Sequence, residues 1–249
     1  MLVTCYFKLD HNKKRSLPEY EDWIARFLAN TPAPIVFFTT KDLVPWLRSL
    51  RPEKYPITFV LYESVYEIES ITKYGMEFWT KQYDMNPEKH APAEVFAIWN
   101  NVPAFVKRAA DTIGPSQDEP FIWVYAGCVR NDWWYPYLQN FGTKFNKIPK
   151  DKLLLQLLNP IPAHSEIYKA PFGECYVAGG ISAGYIDTWR KCSDHYDEMI
   201  SKYVENASYV SQDQFIWKSC IQKWPDDFQA VLPVPCADPW FFFFVYLST

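Results

Sequence analysis

The sequence lacks an excess of positive charge. Its 25 Lys and Arg residues are outnumbered by 29 Asp and Glu residues, so the 249-residue chain has a formal net charge of −4. It also lacks a long run of Lys or Arg that would create a basic field over part of the surface. Proteins that bind nucleic acid through its phosphates depend on such a field. We therefore do not expect nucleic acid to be a partner.

Long apolar runs are missing as well. A helix that spans a bilayer needs about 20 apolar residues, and the aromatic-rich run over 240–246 is far shorter and favours a buried strand or a packed tail. The first ten residues predict a strand and reach charge too early for the apolar core of a secretory signal. These absences predict a cytoplasmic protein without a membrane segment.

Metal-binding spacing is also absent. The sequence has no Cys-x-x-Cys pair, and no histidine lies at zinc-site spacing from a cysteine. We expect reduced, mostly buried thiols, and histidines that lie at the surface or in hydrogen bonds. The residues concerned are Cys5, Cys128, Cys175, Cys192, Cys220 and Cys236, and His11, His90, His164 and His195.

Aromatic residues are abundant, at 18% of the chain, and hydrophobic residues make up 49%. This composition allows a sizeable core, and the absence of a repeat or a low-complexity linker predicts one domain over 1–249. Flat aromatic faces can bind sugars or bases, or they can simply pack the core. Composition alone leaves both interpretations open.

Apolar strands alternate with amphipathic helices along the chain. Short apolar runs such as 35–39 are typical of buried parallel strands, whereas 17–29 has apolar residues at helical spacing. Pro103 is expected to kink the helix over 93–113 or to end its first part. Strands are predicted at 3–9, 35–39, 57–62, 121–125 and 174–178, with strand-like pieces at 229–234 and 241–247, and helices at 17–29, 41–50, 93–113, 185–203 and 212–224. The alternation predicts an α/β protein with a mostly parallel sheet flanked by helices.

The carboxyl ends of the predicted strands are the expected place for a ligand. Four segments meet there: the loops after Phe7 and Phe38, and the segments 125–130 and 179–184. Gly179 and Gly180, which we expect to end a strand, would let a ligand or another backbone approach closely. Glycines at this position also serve plain turns.

Short motifs in a fixed order give a more specific indication. They are Val3-Thr4-x-Tyr6-Phe7, Val36-Phe37-Phe38-Thr39, Arg51, Ile98-Trp99-Asn100, Trp123-Val124-Tyr125-Ala126-Gly127-Cys128-x-Arg130, Gly179-Gly180 and Gln212-Asp213-Gln214. Together they resemble the HtrL/YibB-like family over nearly the whole chain. The resemblance implies a GT-A-type, Rossmann-like glycosyltransferase. Such an enzyme binds a nucleoside diphosphate sugar, usually with Mn²⁺ or Mg²⁺, and passes the sugar to a glycan or another hydroxyl acceptor.

Two positions depart from the family pattern. The family generally has Trp-x-Asp-Ala-Gly, but this chain has Tyr125 at the Asp position, and a phenol is a poor ligand for a hard divalent ion. The family typically has Trp-x-x-Lys-Pro, but this chain has Val102 at the Lys position. Losing a carboxylate and an ammonium together leaves the net charge unchanged. This pattern is expected when an ion pair or a joint site is exchanged for apolar contact.

The resemblance also implies the site residues. Arg51 and Arg130 are candidates to bind phosphate through bidentate hydrogen bonds in place of a metal, or they are structural arginines. Asp132 is a candidate replacement for the missing metal ligand. The implied donor site consists of Thr4, Tyr6, Thr39, Arg51, Trp99, Tyr125, Ala126, Gly127, Arg130, Gly179, Gly180 and Gln214.

Catalysis and acceptor binding are expected from three further residues. Asp213 is a candidate general base for the acceptor hydroxyl, although a carboxylate at the start of a helix is also a common cap. Trp133 and Trp134 follow the site strand and are candidates to stack on an acceptor sugar or to pack the domain.

Three hypotheses for function remain open at this point. The first is a glycosyltransferase, active or weakened by Tyr125 and Val102. The second is a catalytically degenerate relative, natural or carrying introduced substitutions, that binds a sugar, a nucleotide or a protein in the same pocket. The third is an unrelated small-molecule enzyme on the same fold, since fold alone does not give function.

Overall fold

The chain forms one seven-stranded sheet within the residues that the structure describes. This computed structural model describes residues 1–9, 16–87, 91–114, 118–171, 173–236 and 238–249. The strand order across the sheet is β3-β2-β1-β4-β6-β5-β7. The strands are β1 (Leu2–Cys5), β2 (Ile35–Thr40), β3 (Ile57–Tyr62), β4 (Phe121–Val124), β5 (Leu153–Leu157), β6 (Val177–Gly184) and β7 (Phe228–Val231).

Most neighbouring strands are parallel. The strands β3, β2, β1 and β4 run in one direction, and β5 and β7 are parallel to each other. The strand β6 is antiparallel to both of its neighbours, β4 and β5. The prediction of an α/β fold with a mostly parallel sheet is therefore confirmed. Since β6 is reversed, its first residues lie beside the carboxyl end of β4.

Helices cover both faces of the sheet. They are α1 (Leu17–Asn30), α2 (Val44–Ser49), α3 (Glu69–Tyr74), α4 (Met76–Met85), α5 (Ala93–Asn100), α6 (Val102–Ile113), α7 (Tyr135–Leu138), α8 (Ile186–Glu205), α9 (Asp213–Lys223) and α10 (Phe243–Tyr246). Local sequence explains several of their ends. Ser16 and Glu19 form a capping box that begins α1. Pro103 lies in the first turn of α6, where its missing N–H costs nothing, so the predicted break at Pro103 is confirmed.

Alternation along the strands divides the core into two clusters. On one face, Val3 and Cys5 pack in the same cluster as Phe105 of α6 and Trp217 of α9. On the other face, Leu2 packs in a cluster with side chains of α1, α7 and α10, among them Phe27, Leu138 and Phe244. Both faces of the sheet are therefore buried, as the continuous apolar runs of the inner strands require.

The structure corrects two predicted elements. The strand predicted to end at Gly179 and Gly180 instead continues through them, because β6 spans Val177–Gly184 and pairs with β4 beyond the glycines. The strand-like piece at 241–247 is helical, with a 3₁₀ turn at Pro239–Phe241 followed by α10. Phe243 and Phe244 are fully buried there, and this packing outweighs the strand propensity of the phenylalanines.

The cysteines and the apolar lengths of the helices can also be compared with the sequence predictions. Four of the six cysteines are buried, and all six are free thiols. Among the helices of the described residues, none has an apolar stretch long enough to cross a bilayer.

Candidate functional site

A cavity of about 500 Å³ lies where β4 ends and β6 begins. The backbone N–H of Tyr125, the residue after β4, donates to the carbonyl of Gly180 in β6 over 2.8 Å. The cavity therefore lies at the carboxyl end of a central parallel strand, where α/β proteins commonly bind ligands. Its volume falls within the range of about 300–1,000 Å³ that is usual for small-molecule sites.

Seven of the residues proposed from the sequence line this cavity together. They come from α5, the β4 end, β6 and α9, which are far apart in the chain. They are Trp99, Tyr125, Arg130, Gly179, Gly180, Asp213 and Gln214. Val102, which like Tyr125 differs from the HtrL/YibB-like pattern, lines it as well.

Asp213 is the buried carboxylate of the site. It is the first residue of α9 and is 5% exposed. Burial raises the pKa of Asp213 to about 7, although backbone N–H groups of Gln214 and of Asp213 itself stabilise the charged form. Within the described part of the chain, no Lys, Arg or His forms an ion pair with it. The carboxyl group can therefore accept or release a proton near neutral pH.

Buried polar side chains hold the start of α9 in place. The Asn100 side chain donates to the carbonyl of Ser211 over 3.2 Å, just before α9 begins. The Tyr196 hydroxyl of α8 donates to Asn100 Oδ1 over 2.8 Å. The end of α5 and the middle of α8 thus fix the backbone that carries Asp213.

Arg130 is the cation that lines the cavity among the described residues. Its guanidinium lies between two aromatic rings, 4.9 Å from the Trp23 centroid and 5.1 Å from that of Phe241. Cation–π contact of this kind orients the planar group and stabilises its charge. An arginine held in this way is suited to contact an anionic part of a ligand.

Tyr125 and Val102 share the cavity wall. Val102 begins α6 and is 2% exposed. Tyr125 meets the Tyr20 ring edge-on, at a centroid distance of 5.9 Å. The two positions that differ from the HtrL/YibB-like pattern therefore line the same cavity in this fold. Their present occupants contribute a phenol and an aliphatic side chain.

Five candidates at the strand ends do not line the cavity. Thr4 and Thr39 are fully buried, and the Thr39 hydroxyl donates to the Tyr6 carbonyl over 2.8 Å. Ala126 is buried, and a Cβ added to Gly127 would lie 3.1 Å from a Tyr20 ring carbon. These residues, with Tyr6, lie at the ends of β1, β2 and β4 and do not line the cavity, so their donor role stays a prediction.

Arg51 takes the structural one of its two proposed roles in this fold, and it does not line the cavity. Its side chain is buried, and its guanidinium donates to five backbone carbonyls. These carbonyls belong to Leu28, Thr31, Ala33, Tyr55 and Pro56. Each guanidinium nitrogen therefore already has a backbone partner, and Arg51 ties the end of α1 to the start of β2 and β3.

The candidates that follow Arg130 also lie outside the cavity. Asp132 pairs with Arg26 at the surface. Trp134 is buried in the core with Phe244, and its predicted acceptor role is replaced by packing. Trp133 is 49% exposed but does not line the cavity. The turn after Arg130 directs these side chains away from the site.

The described residues do not fit a divalent cation held by protein groups alone. No three His, Cys, Asp or Glu side chains among them come together at metal-binding distance, and His11 and His90 lie outside the described residues. Within the described part of the chain, two carboxylates line the cavity, those of Asp213 and of the exposed Glu174. Since hard cations take about six or more oxygen ligands, most of the ligands would have to come from a substrate or from water.

Most of the aromatic residues that line the cavity were not predicted from the sequence. Trp123 could have been found, because it lies two residues before Tyr125 and alternate residues of a strand share a face. Trp240 and Phe241 carry no local signal, since the tail reaches the cavity only through the tertiary fold. The aromatic residues missed are Tyr20, Trp123, Tyr209, Phe215, Trp240 and Phe241.

The chain matches no family model and no curated protein. Among solved structures it is similar to the apo form of mouse xyloside xylosyltransferase 1, with a TM-score of 0.45 and 10% sequence identity. The alignment covers 92% of this chain and 84% of that one.

Proposed function

We propose that the cavity binds a nucleoside diphosphate sugar and that the protein transfers the sugar to an acceptor hydroxyl. The observation that carries this proposal is the buried Asp213 carboxyl group, whose pKa is about 7, in a cavity that also presents Arg130 and several aromatic faces. A base, a cation and flat apolar surfaces are the groups that this reaction needs.

Asp213 supplies the general base. A base is most effective when its pKa lies near the working pH, and burial places Asp213 there. In a direct displacement, the acceptor O–H gives its proton to the Asp213 carboxylate while its oxygen bonds to the anomeric carbon. The anomeric C–O bond to the diphosphate breaks, and its electron pair leaves with the nucleoside diphosphate.

Arg130 contacts the diphosphate. Negative charge develops on the leaving diphosphate, and a fixed guanidinium stabilises that charge without reorganising. The rings of Trp23 and Phe241 hold the guanidinium plane, so its N–H groups can form bidentate hydrogen bonds with phosphate oxygens. Each 1.4 kcal/mol or so of such stabilisation is about tenfold in rate.

The ordered sequence motifs support a more specific proposal, that the protein is an HtrL/YibB-like glycosyltransferase. Four of them contribute residues to the cavity: Trp99 of the Ile-Trp-Asn motif, Tyr125 and Arg130 of the β4 motif, the glycine pair, and the Gln-Asp-Gln motif. Motifs scattered over more than 100 residues of sequence thus meet at one site. This convergence is expected if they act on a common ligand.

A second function is favoured by Tyr125 and Val102. Both line the cavity where the family has an acidic and a basic residue, and their replacement removes charge from the proposed donor site. A protein that binds the nucleotide sugar without turning it over would retain the cavity and Arg130. Both proposed functions predict binding of the nucleotide sugar, but only the transferase would turn it over.

The test is a donor assay on wild-type protein and Asp213→Asn, with UDP- and GDP-sugars and detection of the released nucleoside diphosphate. Loss of the base is expected to lower turnover by about 10²–10⁴-fold while donor binding persists. Glu174→Gln, which changes another carboxylate of the same cavity, is the matched control and should retain activity. Equal turnover by wild type and Asp213→Asn would overturn the catalytic role, and binding without turnover in wild type would favour the second function.

A further inference from the structure

The C-terminal tail forms one side of the cavity. Trp240 and Phe241 belong to the 3₁₀ turn Pro239–Phe241, and both line the cavity together with residues of α5 and α9. Phe241 packs so closely on β6 that a Cβ added to Gly180 would lie 2.9 Å from its ring. Part of the ligand site is therefore supplied by the last dozen residues of the chain.

This turn is firmly attached to the sheet. Gln156, a fully buried residue of β5, donates from its side chain to the Pro239 carbonyl and accepts from the Phe243 N–H over 3.0 Å. Within the turn, the Trp240 N–H donates to Asp238 Oδ1 over 3.0 Å. The backbone on both sides of Trp240 is thus fixed, which reduces the entropy lost when a ligand contacts its indole.

The indole of Trp240 is open to solvent although its neighbour is buried. Trp240 is 41% exposed, whereas Phe241 is 3% exposed. Trp240 belongs to neither hydrophobic cluster of the described residues. Because Trp240 also lines the cavity, its exposed ring is available to contact a ligand there.

The exposure of Trp240 favours a sugar over a base. Small-molecule sites bury most of the ligand surface, so a nucleotide base is expected against less exposed rings of the cavity, such as the half-buried Tyr20 and Trp99. An acceptor glycan must instead leave the cavity toward solvent, and its reacting sugar needs an apolar face at the rim. Trp240 offers that face on the same turn as Phe241, whose ring holds Arg130.

We infer that Trp240 is the stacking platform for the acceptor pyranoside, taking the place of Trp133 and Trp134 in that role. The C–H face of the sugar lies on the indole, and the reacting hydroxyl points into the cavity that Asp213 and Arg130 share. Trp240 is then a specificity-determining residue that acts on acceptor binding and leaves donor binding unchanged. This inference rests on the proposed transferase function for its biological meaning, but the contact itself can be measured separately.

The experiment compares Trp240→Ala with Trp133→Ala as a matched control. Trp240 and Trp133 are the two most exposed tryptophans of the described chain, at 41% and 49%, but of these two only Trp240 lines the cavity. The probes are the methyl α- and β-glycosides of glucose, galactose, mannose and N-acetylglucosamine, observed by saturation-transfer NMR with UDP or GDP present. UDP and GDP affinities are measured in parallel by calorimetry. Thermal unfolding checks that each variant is folded.

We expect Trp240→Ala to weaken binding of at least one glycoside by tenfold or more, with nucleotide affinity within about twofold of wild type. Trp240→Phe should restore part of the glycoside binding, and Trp133→Ala should match wild type. An equal loss of nucleotide affinity in Trp240→Ala would make the indole a base platform and overturn the inference. So would glycoside binding that ignores Trp240, or wild-type protein that binds none of the glycosides. Trp240-dependent glycoside binding without any nucleotide binding would instead sink the proposed transferase function and leave the sugar platform in place.

Discussion

The Asp213 carboxylate packs directly against the Cα of Gly179. A Cβ added to Gly179 would lie 2.6 Å from Asp213 Oδ1, a distance that real Cβ atoms do not tolerate. Gly179 therefore leaves the space that the carboxylate occupies, and β6 and α9 can approach each other only because this residue has no side chain. The absence of a side chain at Gly179 thus allows the proposed base, Asp213, to occupy its position.

Gly179→Ala is expected to displace Asp213 from its place at the cavity wall. Overpacking of this kind costs about 1–3 kcal/mol of stability, and a misplaced base should lower donor turnover by about 10²-fold. The measurement pairs thermal unfolding with the donor assay.

Gly184→Ala is the control for this change. It lies on the same strand and is also crowded, with an added Cβ 3.0 Å from a Leu153 methyl carbon, but it does not line the cavity. It should lose stability and keep the turnover of its folded fraction. Equal turnover by Gly179→Ala and wild type would show that Gly179 does not position the base.

The stability of the protein should fall as pH rises, because of Asp213. Its pKa is raised by burial from 3.8 to about 7, so between these values folded Asp213 holds a proton that the unfolded chain has lost. The stabilising contribution is full below pH 4 and is lost as pH rises through about 7. At about 1.4 kcal/mol per pKa unit, the loss is about 4 kcal/mol.

Urea unfolding of wild type and Asp213→Asn between pH 4 and pH 8 isolates this effect. The variant should gain stability relative to wild type across the range, since the amide does not ionise. A stability difference that stays constant with pH would contradict the raised pKa.

Much of the fold follows from local sequence. The strand β3 matches its predicted range of 57–62, and the break between α5 and α6 occurs at Pro103, because apolar patterning and proline act locally. The antiparallel direction of β6 and the helical conformation of the tail depend on tertiary packing. Both are set by which apolar surfaces of the sheet the other elements leave uncovered. Such tertiary choices outweigh local propensity.

The candidate site was predictable in the same partial way. Residues after β4 and at the start of α9 were identified because strand ends and short motifs indicate function locally. Local sequence could not decide between the two roles proposed for Arg51, because it does not show the five carbonyls that surround the guanidinium. Trp240 was missed because the tail reaches the cavity only in three dimensions.

Arg51→Met should lower the stability of the protein without changing its nucleotide binding. Arg51→Met would leave five backbone carbonyls without their guanidinium partner, so it should cost at least about 3 kcal/mol in unfolding free energy. Binding of UDP or GDP by the folded fraction should be unchanged. Weakened nucleotide binding together with normal stability would return Arg51 to the ligand site.

Tyr125→Asp and Val102→Lys are expected to couple. Each alone places an uncompensated charge in the cavity wall, and Lys at the start of α6 also opposes the helix dipole. The double variant should be more stable than the sum of the single changes by about 0.5–3 kcal/mol. A double-mutant cycle by urea unfolding measures this coupling, and additive single effects would disprove that the two positions once formed a joint site.

The most direct test is calorimetric titration of UDP and GDP into wild type and Arg130→Met, each with and without Mn²⁺. We expect nucleoside diphosphate binding in the absence of Mn²⁺, because Arg130 supplies a cation to the described cavity wall, and at least tenfold weaker binding in Arg130→Met. Absence of binding under every condition, binding that requires Mn²⁺, or an affinity that does not change in Arg130→Met would contradict it.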